Sequence, residues 1–431
     1  MAAFDRDLDA LFATGGLTAA QAAARAGAAS PTVRRRVAEL DAAVAQLQAA
    51  ELARVPVVSG RASYTRLSHV APFTIPVGPG VAIQSLENAY LAEAQLVIPL
   101  SDYVLRYPRL VDAARLGADA ARLNKRSSEL SAGEDARLAY YEWVRAKLQV
   151  LIAQRQLVQV QRTLDQVRAL TEVQRLSRAD LLRVESQEAQ AEQVVDQLAN
   201  LAALREEQLR LLIGAPVREP LAIGEDIRAD VAVGEAAQLD QLMTSAARQR
   251  LEFQVIDTGI QAKDSQRAAE QANLLPRLSA FGTADYADPN PRVFPQEDKF
   301  TFTWQIGAQL TWTLNDALIS RTTDHRLRAE ANELRADREN LEHGTRIEIL
   351  AAQQAVAIAQ RSLATSQKGL AAAEEGYRVR KELLDAERAT AVELVDAETE
   401  LTRARITALN ARVDLRVARA QLDHAIGNDA R

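Results

Sequence analysis

Cysteine is absent from all 431 residues. Its absence excludes disulfide staples, thiolate metal sites, cysteine nucleophiles and a lipid-modified N-terminal cysteine. Aromatic residues make up only 4% of the chain, too few for several compact aromatic-rich cores. No window approaches 18 uninterrupted apolar residues, so a transmembrane helix is excluded and any membrane role falls to strands. A basic excess is lacking too. The net charge is −6, with Lys and Arg interleaved among Asp and Glu, which argues against a nucleic-acid partner and marks solvated helix faces. The four histidines, His69, His325, His343 and His424, are scattered and show no metal-ligand spacing. There is no phosphate-binding glycine loop, nucleophile elbow or paired-carboxylate setting, so neither catalysis nor a cofactor is expected. Met1 to Phe12 lack the basic start and apolar core of a secretory signal. Either a signal was removed before this numbering begins, or the protein is not exported.

What the chain does have is alanine, leucine, arginine, glutamate and glutamine, a composition that favours long helices. It also has an internal duplication. Pro56-Val57-Val58-Ser59 recurs as Pro276-Arg277-Leu278-Ser279. Ala94-Gln95-Leu96 with Leu100-Ser101-Asp102 recurs as Ala308-Gln309-Leu310 with Leu314-Asn315-Asp316. Asp180-Leu181 with Glu185 recurs as Glu393-Leu394 with Glu398, and Ile213-Gly214 as Ile426-Gly427, both 213 positions on. Four landmarks in the same order at nearly constant offset define two structural repeats. The first, 1–213, reads as helix, strands at about 57–67 and 86–99, long helix, turn near 174–179 and helix. The second, 237–427, reads as helix, strands at about 277–287 and 299–313, long helix, turn near 380–390 and helix. Between them, 214–236 carries Pro216, Pro220 and Gly224, loses helical periodicity, and predicts a linker with a short strand at Leu221–Ile223. Residues 428–431 are a tail.

The clearest strand runs from Phe300 to Trp312. Phe300, Phe302, Trp304, Ile306, Ala308, Leu310 and Trp312 alternate with Thr301, Thr303, Gln305, Gly307, Gln309 and Thr311. Tyr90, Ala92, Ala94, Leu96 and Ile98 alternate with Glu93 and Gln95 in the same way. A soluble antiparallel sheet with one face on a core would show this pattern. Two features favour a membrane barrel: a strand long enough to cross a bilayer with aromatics at its ends, and no remaining sequence to cover its apolar face. On that reading Phe300, Phe302, Trp304, Ile306, Leu310, Trp312, Tyr90, Leu96 and Ile98 face lipid. Four strands cannot close alone, and open edges are not tolerated in lipid, so the barrel must be completed by other subunits. The loops 69–82 and 287–299, rich in proline, fit hairpin connections that reach water.

Helical periodicity then runs from Asp102 to about Thr171, roughly 100 Å at ~1.5 Å per residue, and from Asp316 to about Ala386. In the last helix Leu394, Leu401, Ala408, Leu415 and Leu422 repeat every seven residues, with Ala397, Ala404, Ala411, Ala418 and Ala425 at the complementary position. This is a coiled-coil seam with close helix approach. Its counterpart keeps Leu181, Val195, Ala202 and Leu209, but Glu188 and Arg205 interrupt it, as lumen-facing groups or as solvated edges. A structural coiled-coil rod explains the heptads but neither the strands nor the duplication. Tyr140, Tyr141 and Trp143 read as a packing anchor against the linker.

These residues resemble the TolC-like outer-membrane efflux family. The resemblance rests on Leu17-Thr18 followed by Ser30-Pro31, on Pro56 before a serine-containing strand, on Ser177-Arg178-Ala179-Asp180-Leu181-Leu182 with Glu185, and on Leu212-Ile213-Gly214. It covers the chain from Leu17 to Gly427. It implies a fold that is mostly α with a membrane β-barrel: a long coiled-coil helical tunnel and four strands per protomer, in a homotrimer sharing a 12-stranded barrel. The implied role is a passive exit duct with no enzymatic step, located in the outer membrane of a Gram-negative bacterium and spanning into the periplasm. Its implied partners are outer-membrane lipid, a periplasmic adaptor (membrane fusion) protein and an inner-membrane pump. Small-molecule efflux and type I protein secretion are both open, as is a soluble coiled-coil scaffold from another class. The sequence departs from the family at the hairpin tips: Val173-Gln174-Arg175-Leu176 lacks the usual glycine, and the stretch from Tyr377 to Glu393 is longer by about one heptad. Arg175, Arg178, Asp180, Lys381, Asp385, Glu387 and Arg388 are the tip candidates for adaptor contact or gating.

Overall fold

The structure, a computed structural model, describes residues 8–71, 73–75, 81–83, 86–229, 238–386 and 388–430. A short strand β1 (Phe12–Leu17) precedes α1 (Ala19–Ala29) and α2 (Pro31–Leu52). Then come β2 (Val57–Arg66), a ribbon of β3 (Phe73–Ile75) and β4 (Val81–Ile83), and β5 (Asn88–Ile98). The first half ends with α3 (Leu100–Leu105), α4 (Tyr107–Glu172) and α5 (Arg178–Ile213). The second half is α6 (Leu239–Gln249), α7 (Leu251–Gln271), β6 (Arg277–Asp288), β7 (Thr301–Thr311), α8 (Leu314–Asp385) and α9 (Ala391–Ala425).

Local chemistry sets these boundaries. Thr18 opens α1 with a capping box: its hydroxyl accepts from the Gln21 amide at 3.2 Å, and Gln21 Oε1 accepts from the Thr18 amide at 3.1 Å. Pro31 then starts a new helix because its missing N–H is harmless in a first turn, so the opening helix is two helices broken at Ser30. The hairpin turns are matched: α4 ends at Glu172 and α8 at Asp385, while α5 and α9 start at Arg178 and Ala391. Both pairs are 213 positions apart, so the two turns are equally long. Ser177 with Asp180 and Thr390 with Glu393 cap the returning helices in the same way. Gly214 and Gly427, also 213 apart, take φ of 64° and 77°, left-handed values that a side chain would strain. At the first turn the left-handed position is Gln174, with φ 59° and no glycine.

Three expectations need correction. The strand at Leu221–Ile223 is only a bridge at Ile223, which pairs in parallel with Phe12 and Leu17 of a β1 that the sequence pattern did not show. The 69–82 loop contains the β3–β4 ribbon. The strand β7 runs only from Thr301 to Thr311, leaving Phe300 and Trp312 just outside its ends.

The chain forms two compact units, each drawing on both halves of the sequence. The first comprises Met1–Ala38, Arg122–Gln254 and Glu339–Arg431. Its largest core gathers Ala22, Ala26, Tyr140, Trp143, Leu148, Leu209, Ile213 and Val413 around Ile223 and Ile227 of the linker. The aromatic cluster therefore packs on the linker. Trp143 is 1% exposed, and its indole N–H donates to Glu206 at 3.3 Å. Leu394, Leu401, Ala408, Leu415 and Leu422 of α9 are all buried, as one heptad position of a coiled-coil seam should be. The second unit comprises Glu39–Ala121 and Val255–Arg338. In it α7 is tied to α8 by Lys263–Glu330 at 2.7 Å, Arg338–Asp257 at 2.7 Å and Arg335–Asp264 at 3.2 Å.

Candidate functional site

The four long strands form one antiparallel sheet in the order β2-β5-β6-β7. Its register decides what each face carries. Opposite Tyr90, Ala92, Ala94 and Leu96 of β5 lie Tyr64, Ala62, Gly60 and Val58 of β2. On the other side Ala92, Ala94, Leu96 and Ile98 meet Tyr286, Ala284, Gly282 and Ala280 of β6, which meet Phe302, Trp304, Ile306 and Ala308 of β7. Pairing places directly opposed residues on one face. One face is thus apolar across all four strands. Opposite it, Arg61, Glu93, Asp285 and Thr303 form one row and Ser59, Gln95, Thr283 and Gln305 the next.

The apolar face is bare. Trp304 is 64% and Ile306 78% exposed, and Phe300, Phe302, Leu310, Trp312, Tyr90 and Leu96 are exposed as well. Ile98 is half-buried. Near the hairpin-loop end, Tyr64, Tyr90, Phe300 and Tyr286 form a chain of rings with successive centroids 5.1, 5.9 and 5.1 Å apart. Trp312 stands at the opposite end of the sheet. Among the described residues the outer edges of β2 and β7 have no strand partner. On the polar face the β6–β7 loop is anchored by Asn290, whose Nδ2 donates to Thr301 O at 2.9 Å and Thr303 Oγ1 at 3.2 Å. Arg292 donates to Trp304 O at 2.9 Å and also to Gln305.

The hairpin tips belong to the other unit. Leu164, Val167, Val184 and Val395 form a small core there, with Leu176 and Leu181 against it. Of the tip candidates, Asp180 is committed to capping: its carboxylate accepts from the Ser177 hydroxyl at 2.7 Å. Arg175, Arg178, Lys381 and Arg388 are exposed. Asp385 is the last residue of α8, and Glu387 lies outside the described residues. Sequence reasoning singled out Glu398 only as a repeat landmark. The structure buries it to 4% exposure, where it accepts from Gln159 Nε2 at 3.1 Å and Thr163 Oγ1 at 3.2 Å.

Apolar residues also remain bare on the helices: Val194, Leu201, Leu204 and Leu211 of α5 follow a 7-3-7 spacing and are exposed. The opposite stripe of that helix, Val184, Ala191, Ala202 and Leu209, is buried within the chain. Glu188 and Arg205 are half-buried, and Arg205 donates to Gln208 at 2.9 Å.

No metal-binding group of three His, Cys, Asp or Glu occurs among the described residues. His424 shows why its own carboxylate partners do not make one: Nδ1 meets Asp429 at 2.6 Å and Nε2 meets Glu134 at 3.0 Å, from opposite sides of the ring. Burial lowers the His424 pKa, but the hydrogen bond to Asp429 and the charges of Glu134 and Asp429 outweigh it, leaving the ring above the ordinary histidine range. Burial also raises the Glu134 carboxyl. A raised folded pKa contributes stability that is complete below the unfolded value and lost as pH rises through the folded one. The thermal midpoint is therefore expected to fall above about pH 6.5. His424→Gln should flatten that decline, as a scan of Tm against pH would show; parallel curves would contradict the assignment.

The sequence matches no protein-family model and no curated protein. The fold matches solved structures closely. The outer-membrane channel MtrE of Neisseria gonorrhoeae, in its open state, superposes with TM-score 0.77 at 17% identity, over 95% of this chain and 88% of that one. CusC, whose crystal structures concern transmembrane channel formation, gives 0.77 at 16% identity, over 97% and 93%. The CmeC outer-membrane channel of Campylobacter jejuni gives 0.75 at 14% identity, over 98% and 87%. Among the described residues no helix is long and apolar enough to cross a membrane. The chain carries the TolC-like fold of outer-membrane channels.

Proposed function

We propose that the chain is one protomer of a passive exit duct in the outer membrane of a Gram-negative bacterium, exporting small molecules. The observation that carries this reading is the sheet: an exposed face of apolar rows, an opposite face with polar rows at its centre, and, among the described residues, two open edges. A sheet of that kind is stable in lipid only when its edges are closed. The reading closes β2 of one copy on β7 of the next, giving twelve strands from three copies with the apolar face toward lipid and the polar face toward a lumen. The bare stripe on α5 supports it, since an apolar seam at heptad spacing calls for a further helix, here from a neighbouring copy. The hairpin tips, with Arg175, Arg178, Asp180, Lys381, Asp385, Glu387 and Arg388, then face a periplasmic adaptor joined to an inner-membrane pump. The matching channels are not enzymes, and transport through such a duct requires no bond to be made or broken.

The test is export. In a Gram-negative strain lacking its own exit duct, the chain is expressed together with a periplasmic adaptor and an inner-membrane pump of a tripartite system. Dye accumulation should drop when the chain is present, and Asp385→Arg with Arg388→Glu should weaken that effect. Equal accumulation with and without the chain, at normal outer-membrane levels of protein, would overturn the efflux reading.

A further inference from the structure

The duplication places two glutamates at one position of the repeat, Glu185 and Glu398, and two cations at another, Arg168 and Lys381. All four are in the same compact unit. In the first hairpin the pair is made within the hairpin: Arg168 of α4 meets Glu185 of α5 at 3.5 Å. In the second hairpin the equivalent pair is open. Lys381 of α8 is exposed, while Glu398 of α9 has turned to the other hairpin, where Gln159 and Thr163 of α4 donate to its Oε1. Its Oε2 is buried without any hydrogen-bond partner.

From α4 Glu398 meets Gln159 and Thr163; from α8 the charge acting on it is Lys381. On α5, Arg183 pairs with Asp396 of α9 at 4.0 Å and Glu185 with Arg168. On its own helix Glu400 holds Arg403 at 3.0 Å. Burial pushes the Glu398 carboxyl above the usual range, against the two hydrogen bonds and Lys381. With both donors on Oε1 a proton would sit on Oε2, and a buried O–H left unpaired costs less than a buried ionised oxygen left unpaired.

We infer that Glu398 is a proton-operated latch between the two helical hairpins. Uncharged, it holds α9 to α4 through Gln159 and Thr163. When its proton leaves to water, the carboxylate turns back to Lys381 on its own hairpin, as Glu185 does with Arg168, and α9 parts from α4. The latch thus holds at low pH and releases as pH rises, the direction that a raised carboxyl pKa requires. It does not depend on what passes through a duct, so loss of export is not its test.

The absence of cysteine allows a direct measurement. Spin labels at Gln166→Cys on α4 and Glu400→Cys on α9, both exposed positions, report the separation by pulsed electron resonance in the detergent-purified assembly diluted with unlabelled chain. A single distance is expected at the acid end of the range in which the assembly persists, and a second, longer one as pH is raised. Glu398→Gln should keep the single distance throughout, and Lys381→Met should move the transition to higher pH. An unchanged distribution in the parent, or the same transition in Glu398→Gln, would overturn the latch. If Glu398→Gln does not assemble, an unmoved midpoint in Lys381→Met does so instead.

Discussion

Ile306→Arg is expected to abolish accumulation of the protein in the outer membrane, while Gln309→Arg, three residues along the same strand, leaves it nearly intact. The two positions lie on opposite faces. Ile306 is central in β7, pairs with Gly282 and is 78% exposed on the apolar face; Gln309 pairs with Ser279 on the polar face. A charge on the lipid face near the bilayer midplane costs about 2–4 kcal/mol per chain in transmembrane barrels. In a trimer the cost is borne three times, about 6–12 kcal/mol, comparable with the whole margin of about 5–15 kcal/mol by which a folded domain persists. Heat-resistant oligomer in outer-membrane fractions is the quantity to follow. Equal loss from both variants would mean that the apolar face is not in contact with lipid.

Trp143→Ala is expected to be the most damaging single truncation in the helical unit, lowering its unfolding free energy by about 3–5 kcal/mol. Trp143 is buried with Tyr140, Leu148, Leu209 and Val413, and its ring fills a space into which Ile223 and Ile227 of the linker also pack. Truncation removes that contact and leaves a cavity that helices fixed by other seams cannot close. It also removes the indole donor to Glu206, but Lys147 remains paired to that carboxylate at 2.7 Å, so the loss is mainly of packing. Trp143→Phe should recover most of the stability. Denaturant unfolding followed by helical signal measures both, and a change below about 1 kcal/mol for Trp143→Ala would contradict the packing role.

What the sequence made legible, and what it hid, follow from the range of the forces involved. Alternation in β7 and the seven-residue repeat in α9 are local patterns with different periods, so helix and strand separate on inspection. The caps at Ser177 and Thr390 span only three residues and are set by equally local chemistry. β1 does not: its backbone partner is Ile223, more than two hundred positions away, and no periodicity reports such a contact. The β3–β4 ribbon is too short to alternate detectably. The continuous apolar face needed the register of four strands, because Ala62, Gly60 and Gly282 look unremarkable until they are aligned with Tyr90, Leu96 and Ile306. Glu398 is the sharpest case. It and Glu185 occupy the same position of a repeat, and only tertiary contact separates a bridged glutamate from a buried one.

The central claim is that this sheet is one part of a barrel completed by other copies. Mass measurement of the particle extracted by detergent from outer membranes tests it most directly. The account predicts a closed particle of three copies of the 47.1 kDa chain, found only in the membrane extract. A water-soluble monomer or dimer would show that the apolar face is covered in some other way, and the proposed duct would fall with it.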